Sequence, residues 1–127
     1  MVYLDSNILI YLFEHHPQFG RQVADIISGL QPTNRFICST LTVTECLAQV
    51  TKITLKTFHE LPQLDLIPLD EAVANQAATL QRDANLRIGD AIHLATALQE
   101  KADLFLTNDL QLAKIAQKYL KVQILDK

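Results

Sequence analysis

Val2-Tyr3-Leu4-Asp5-Ser6-Asn7 opens the chain with a short apolar run that ends at an acid and two small polar residues. A run of that length, bounded by turn-forming residues, reads as a strand buried on both faces, the habit of parallel sheets. Four further segments share the pattern, at residues 35–39, 64–68, 104–106 and 122–125. Helical stretches separate them. Residues 7–14 read as a helix stopped by His15-His16-Pro17, because the residue before a proline is pushed out of the α region. Helices are also predicted over 19–30, 41–50 and, weakly patterned, 51–61. Asp70 is placed to cap a helix whose Val73, Ala77, Leu80 and Ala84 share one face. Ala91, Leu94, Ala95 and Leu98 do the same after Gly89, and a last helix covers 110–118. Short apolar strands alternating with helices imply an α/β fold with a parallel sheet of about five strands covered on both faces.

The 127 residues suit one domain, 1–127. Hydrophobic residues make up 49% and charged residues 20%, a balance that excludes a disordered chain. Aromatics are only 6% and Trp is absent, so the core must be aliphatic. A formal net charge of −3 excludes a protein that grips nucleic acid by bulk positive charge, but not an enzyme that places cations at an acidic site. Cys38 and Cys46 sit in apolar surroundings, match neither a zinc nor a redox spacing, and are expected to be buried and reduced. The longest apolar run, from Ile8 to Phe13, is far short of the roughly 20 residues of a membrane span. The first five residues have no basic region or cleavage site, so no membrane association and a cytoplasmic location are expected.

In parallel sheets the ligand crevice lies outside the carboxyl ends of the strands, and acids stand there. Asp5 follows the first strand, and Thr107-Asn108-Asp109 follows the strand at 104–106. Glu45 lies in the helix after the second strand, and Asp90 starts the helix after Arg87-Ile88-Gly89. Asp5, Asp90 and Asp109 each have a second reading, as helix caps or first-turn acids favoured by the helix dipole. Glu45 is harder to explain away. It lies among Leu41, Val43, Cys46 and Leu47, with no Lys or Arg between Arg35 and Lys52, and a buried carboxylate needs a partner. Two such charges about 5 Å apart repel by roughly 3 kcal/mol at an effective dielectric near 20, so four together cost on the order of 10 kcal/mol. A cluster of that kind must take up protons or a divalent cation. Hard oxygen donors without His or Cys favour Mg²⁺ or Mn²⁺ over zinc, and cations held between carboxylates are a standard means of activating water against a phosphodiester.

Four stretches together resemble one family. Tyr3-Leu-Asp-Ser-Asn-Ile-Leu-Ile10, Thr42-Val-Thr-Glu45, Arg87-Ile-Gly-Asp-Ala-Ile-His-Leu-Ala-Thr-Ala97 and Leu106-Thr-Asn-Asp109 match, in order, the acid motifs of PIN-domain ribonucleases of the kind found as VapC-type toxins of toxin–antitoxin pairs. The resemblance implies a three-layer α/β/α sandwich around a five-stranded parallel sheet. It implies that Asp5, Glu45, Asp90 and Asp109 are the catalytic acids and hold one or two Mg²⁺ or Mn²⁺ ions, with Asp5 between them. It further implies cleavage of single-stranded RNA or tRNA loops to a 5′-phosphate and a 3′-hydroxyl, a cognate antitoxin protein, and a homodimer. One departure stands out: the helical segment at about 46–63 is shorter than the family's usual one.

Around the acids, Ser6 and Thr107 could orient carboxylates or cap helices, and Asn7 and Asn108 could contact a water on the metal. Arg87, one turn before Asp90, could steady a phosphate or merely balance the acids. His93, three residues after Asp90 on the same helix face, reads first as a neutral, satisfied histidine near the core edge. The rival reading of the whole chain is a catalytically inactive PIN-fold binding module that scaffolds RNA or a partner protein. A signalling receiver domain is disfavoured because Asp5 lacks an adjacent acid, and an Asp-x-Asp phosphotransferase because residue 7 is Asn.

Overall fold

Strand β1 (Val2–Leu4) takes the centre of the sheet because all three of its side chains are buried, Tyr3 toward one face and Val2 and Leu4 toward the other. The computed structural model describes residues 1–127. Beyond β1 it contains α1 (Ser6–Phe13), α2 (Gly20–Leu30), β2 (Phe36–Ser39), α3 (Thr40–Gln49), α4 (Leu55–Glu60), β3 (Leu64–Ile67), α5 (Glu71–Ala84), α6 (Ile88–Gln99), β4 (Leu104–Leu106), α7 (Leu110–Ala116) and β5 (Lys121–Gln123). The five strands form one sheet in the order β3-β2-β1-β4-β5, and every pairing is parallel. Val2 stands opposite both Phe36 and Leu104, which sets β1 in register with its two neighbours.

That order has a consequence for the helices. The chain moves outward from β1 to β2 and β3, then returns past β1 to add β4 and β5. Crossovers between parallel strands keep one hand, so reversing direction moves the helices to the opposite face. The packing follows this rule. Val2, Leu4, Phe36, Cys38 and Leu106 form a core with α1 to α4, through Ile8, Leu9, Val23, Cys46 and Phe58. Tyr3, Ile37 and Phe105 form a second core with α5, α6 and α7, through Val73, Leu80, Leu94 and Leu112. The two cores, of 13 and 14 buried residues, make the α/β/α sandwich. The point where the strand order reverses lies between β1 and β4, and the crevice belongs outside their carboxyl ends.

Most elements lie within a residue or two of their expected bounds, and the exceptions have local causes. The helix expected over 51–61 is only Leu55–Glu60, because Thr54 and Thr57 form a reciprocal capping box that fixes its start. The last helix ends at Ala116 rather than 118, with Gln117 capping back to Ala113. The last strand is Lys121–Gln123, one residue earlier than expected and shorter. The segment at 46–63 therefore carries one short helix, α4, after α3 ends. Gly20 is required where α2 starts, since a β-carbon there would stand 3.0 Å from the His15 carbonyl carbon. Cys38 and Cys46 are both free and buried, and burial pushes each thiol up to about 12. No helix is long and apolar enough to cross a membrane.

Candidate active site

Asp5, Ser6, Asn7, Glu45, Asp90, His93 and Asp109 line one polar cavity of ≈ 310 Å³, together with Ile10, Tyr11 and Gln49. The four acids that the sequence singles out therefore share a cleft, although they are drawn from four separate stretches of chain. Each arrives by a different local device. Asp5 ends β1 and caps α1, its Oδ1 accepting from the Ser6 N–H at 2.9 Å. Asp109 caps α7, accepting from the Gln111 and Leu112 N–H groups through Oδ1. The capping and cleft-lining readings of these two residues are thus both true at once. Asp90 lies in the first turn of α6 but does not cap it; that position belongs to Arg87, whose side chain makes no capping bond. Glu45 projects from the second turn of α3.

The surroundings split the acids into two kinds. Asp5 is 4% exposed. Its Oδ2 accepts from Thr107 Oγ1 at 2.7 Å and, more weakly, from Asn7 Nδ2 at 3.4 Å. Burial, reinforced by the Glu45 charge, raises its pKa despite His93 and these donors. Asp90 is also raised, first by burial and then by the charges of Asp109 and Asp5. Glu45 goes the other way: the His93 hydrogen bond holds its carboxyl below the usual range.

Glu45 is not the sealed carboxylate that its apolar neighbours in the sequence suggest. Its side chain is 37% exposed, and its partner is His93, whose Nε2 lies 2.7 Å from Oε1. Ser6 Oγ donates to the same oxygen at 2.6 Å. Oε2 points past Gly89, 3.8 Å from where a β-carbon would stand. His93 itself is 2% exposed. Burial, its largest influence, lowers its pKa, but the Glu45 hydrogen bond and the charges of Asp5, Glu45 and Asp90 outweigh it and the net shift is upward. It is satisfied from both sides, by Glu45 and Ser6 in the cleft and by Tyr3 in the core.

The other supporting residues separate. Thr107 is fully buried and links two acids, donating to Asp5 and accepting from the Asp109 N–H at 3.0 Å. Asn7 faces the cleft and accepts from the Asn108 N–H at 3.2 Å. Asn108 does not line the cleft; its Nδ2 donates to Tyr11 Oη at 3.1 Å. Arg87 is exposed, lines no part of the cleft and forms no ion pair with an acid. Two lining residues escaped the sequence reading, Tyr11 and Gln49. Each stands four residues after a cleft residue, Asn7 and Glu45, and so on the same helix face.

The donor set suits a hard divalent cation: carboxylates from four positions and the amides of Asn7 and Gln49, all on one cleft. Asp90 feels the charges of Asp109 and Asp5, and Asp5 that of Glu45, in addition to the burial that raises both. No three His, Cys, Asp or Glu side chains are grouped closely enough to hold one ion as they stand.

A family model described as PIN domain matches residues 2–118. No curated protein matches the sequence. Several solved structures share the fold. VapBC2 from Rickettsia felis, bound to a DNA fragment from its promoter, is 22% identical, with 99% of this chain and 100% of that chain covered and a TM-score of 0.73. A toxin–antitoxin complex from Klebsiella pneumoniae is 25% identical over 86% and 87% of the two chains, at a TM-score of 0.70. FitAcB from Neisseria gonorrhoeae is 24% identical over 96% of each, also at 0.70.

Proposed function

The chain belongs to the PIN domain family, a family of nucleases, and on that premise we propose that it is a metal-dependent endoribonuclease, the toxin of a toxin–antitoxin pair. The observation that carries the reading is the convergence of Asp5, Glu45, Asp90 and Asp109 on one polar cleft at the strand-order reversal between β1 and β4. Crowded carboxylates with raised pKa values call for a counter-charge, and oxygen donors favour Mg²⁺ or Mn²⁺.

In this reading Asp5, Glu45, Asp90 and Asp109 hold one or two such ions. A bound ion of this class lowers the pKa of water and offsets charge on a leaving oxygen. The remaining work falls to the chain. Thr107 and the Ser6 N–H fix both oxygens of Asp5. Ser6 and His93 fix Oε1 of Glu45 and leave Oε2 free. Asp109 commits Oδ1 to the start of α7 and keeps Oδ2. Asp90 has no side-chain hydrogen bond to hold it and can follow the substrate phosphate. The substrate in this reading is single-stranded RNA or a tRNA loop, as the likeness to PIN-domain ribonucleases implies. In this reading the protein works in the cytoplasm beside a cognate antitoxin, as a homodimer; the Klebsiella pneumoniae neighbour is a toxin–antitoxin complex, and that likeness supports the antitoxin partner.

The test is cleavage of a mixed RNA pool and total tRNA by purified protein in Mn²⁺, Mg²⁺ and EDTA, with Asp5→Asn alongside to expose a contaminating nuclease. Cleavage that requires both a metal and Asp5 is the expected result. No cleavage under any metal would overturn it and leave the chain a PIN-fold binding module.

A further inference from the structure

Beneath Glu45 runs a line of hydrogen bonds that leads away from the cleft into the core. The Ser39 N–H donates to Tyr3 Oη at 3.2 Å. Tyr3 Oη lies 2.6 Å from His93 Nδ1, and His93 Nε2 lies 2.7 Å from Glu45 Oε1. Tyr3 is fully buried and His93 nearly so, so water does not compete for the contacts that Tyr3 makes with Ser39 and His93.

Counting protons gives the line a direction. A backbone N–H can only donate, so the Tyr3 oxygen accepts from Ser39. The phenol keeps its own proton at neutral pH, as an ordinary tyrosine hydroxyl does. Its shortest hydrogen bond is to His93, at 2.6 Å, so with the imidazole neutral that proton goes to Nδ1. Nδ1 therefore accepts, the imidazole proton sits on Nε2, and Nε2–H donates to Glu45 Oε1. The ring is further held by Tyr3 at a centroid distance of 5.9 Å, edge to face, and Tyr3 by Phe105, stacked at 5.1 Å. Tyr3 thus rests on a fixed backbone donor and a core aromatic, and transmits that fixity to an acid at the cleft.

We propose that Tyr3 is a positioning residue of the nuclease centre: through His93 it fixes Oε1 of Glu45 and so presents Oε2 to the cleft. The inference rests on the reading of Glu45 as a ligand in that centre. Such a residue touches neither substrate nor ion, and its loss acts through another side chain. Partners at this remove from a metal typically cost tenfold to a hundredfold in affinity or rate when removed.

Tyr3→Phe deletes only the hydroxyl. Three readouts decide the matter on folded protein. Steady-state kinetics on a cleaved RNA should show kcat lowered roughly tenfold or more with KM for RNA unchanged. Titration with Mn²⁺ alone, followed by electron spin resonance without RNA, should show weaker binding. Nitrogen-15 spectra of His93 at mildly alkaline pH should show one Nε2–H tautomer in the unaltered protein and a mixture in Tyr3→Phe. His93→Gln supplies the control, because its amide can reach Glu45 without any bond to Tyr3. In that background Tyr3→Phe should cost nothing further. Unchanged kcat, Mn²⁺ affinity and His93 spectrum in Tyr3→Phe would overturn the proposal, as would an equal additional loss in the His93→Gln background. Should Tyr3→Phe fail to fold, Mn²⁺ binding by His93→Gln and His93→Ala decides: stronger binding by the Gln variant supports the line, and equal binding overturns it. If the unaltered protein cleaves no RNA, the nuclease reading falls, and the His93 spectrum with the Mn²⁺ titration still judges Tyr3.

Discussion

The acid cleft has two walls built on different terms. On the wall made by β1, α1 and α3, Asp5 and Glu45 are tied by Ser6, Thr107 and His93, with Tyr3 behind them. On the wall made by α6 and α7, Asp90 has no side-chain hydrogen bond and Asp109 gives one oxygen to the start of its helix. One wall is organised before any ligand arrives, and the other is free to adjust. The difference teaches why crowded carboxylates are tolerated here. The two best-held acids share a histidine between them, 2.7 Å from Glu45 and 3.7 Å from Asp5.

The largest expected effect breaks the organised wall at its centre. Asp5→Asn should lower metal-dependent RNA cleavage at least a thousandfold, about 4 kcal/mol in the barrier. The same variant should melt at or above the temperature of the unaltered protein in EDTA. The sign follows from the raised Asp5 pKa: such a carboxyl favours folding where it is protonated, and that contribution is lost as pH rises through its folded value. A clear fall in melting temperature near neutral pH would show that the hydrogen bonds to Asp5 outweigh its burial.

Thr107→Val tests the tie rather than the acid. It removes a buried donor to Asp5 and the acceptor of the Asp109 N–H, and should cost about 1–3 kcal/mol in urea unfolding, with reduced cleavage. Next comes a direct contrast of the walls. Glu45→Ala removes the nearest acceptor of the Ser6 hydroxyl and of His93 Nε2–H and should cost about 1–3 kcal/mol. Asp90→Ala should stay within about 0.5 kcal/mol of the unaltered protein or gain stability, since no bond is lost and repulsion is relieved. Equal losses in the two variants would erase the distinction between the walls.

The smallest effect is in pH dependence. His93 has a raised folded pKa, so it contributes stability below its unfolded value, and that contribution is lost as pH rises through the folded one. Glu45, with a lowered pKa, contributes above its unfolded value and loses this as pH falls through the folded one. Urea midpoints measured in EDTA should therefore decline from weakly acidic to alkaline pH, and His93→Gln should flatten that decline. A decline of equal size in His93→Gln would assign it to other groups.

The strands are legible in the sequence because each is a brief apolar run with an abrupt polar end, and burial on both faces leaves few other readings. Asp5 and Asp109 are legible for the same reason, standing just past the ends of β1 and β4. What the sequence does not display is pairing over distance. Glu45 seems to lack a partner when read among its neighbours, because His93 is 48 residues away on a helix across the sheet. Thr107 and Asp5 meet over a separation of 102 residues, where helix periodicity carries no information. Tyr3 looks like one more core residue, and only its hydroxyl contacts distinguish it. The start of α4 is hidden for a different cause: Thr54 and Thr57 cap it reciprocally without the Ser/Thr and Glu/Gln pattern that usually marks such a box.

The order of the strands also bears on when the protein becomes active during its own synthesis. The first half of the chain, through β3, builds one side of β1 and carries Asp5 and Glu45. The second half supplies Asp90 and Asp109 and completes the cleft only when β4 pairs with the open edge of β1. That pairing joins residues about a hundred positions apart, a contact that forms late because a long loop must close first. A ribosome that has released only the first half exposes two acids and no assembled cleft. On the nuclease reading proposed above, the activity is thereby withheld from every incomplete copy, without any inhibitor being present.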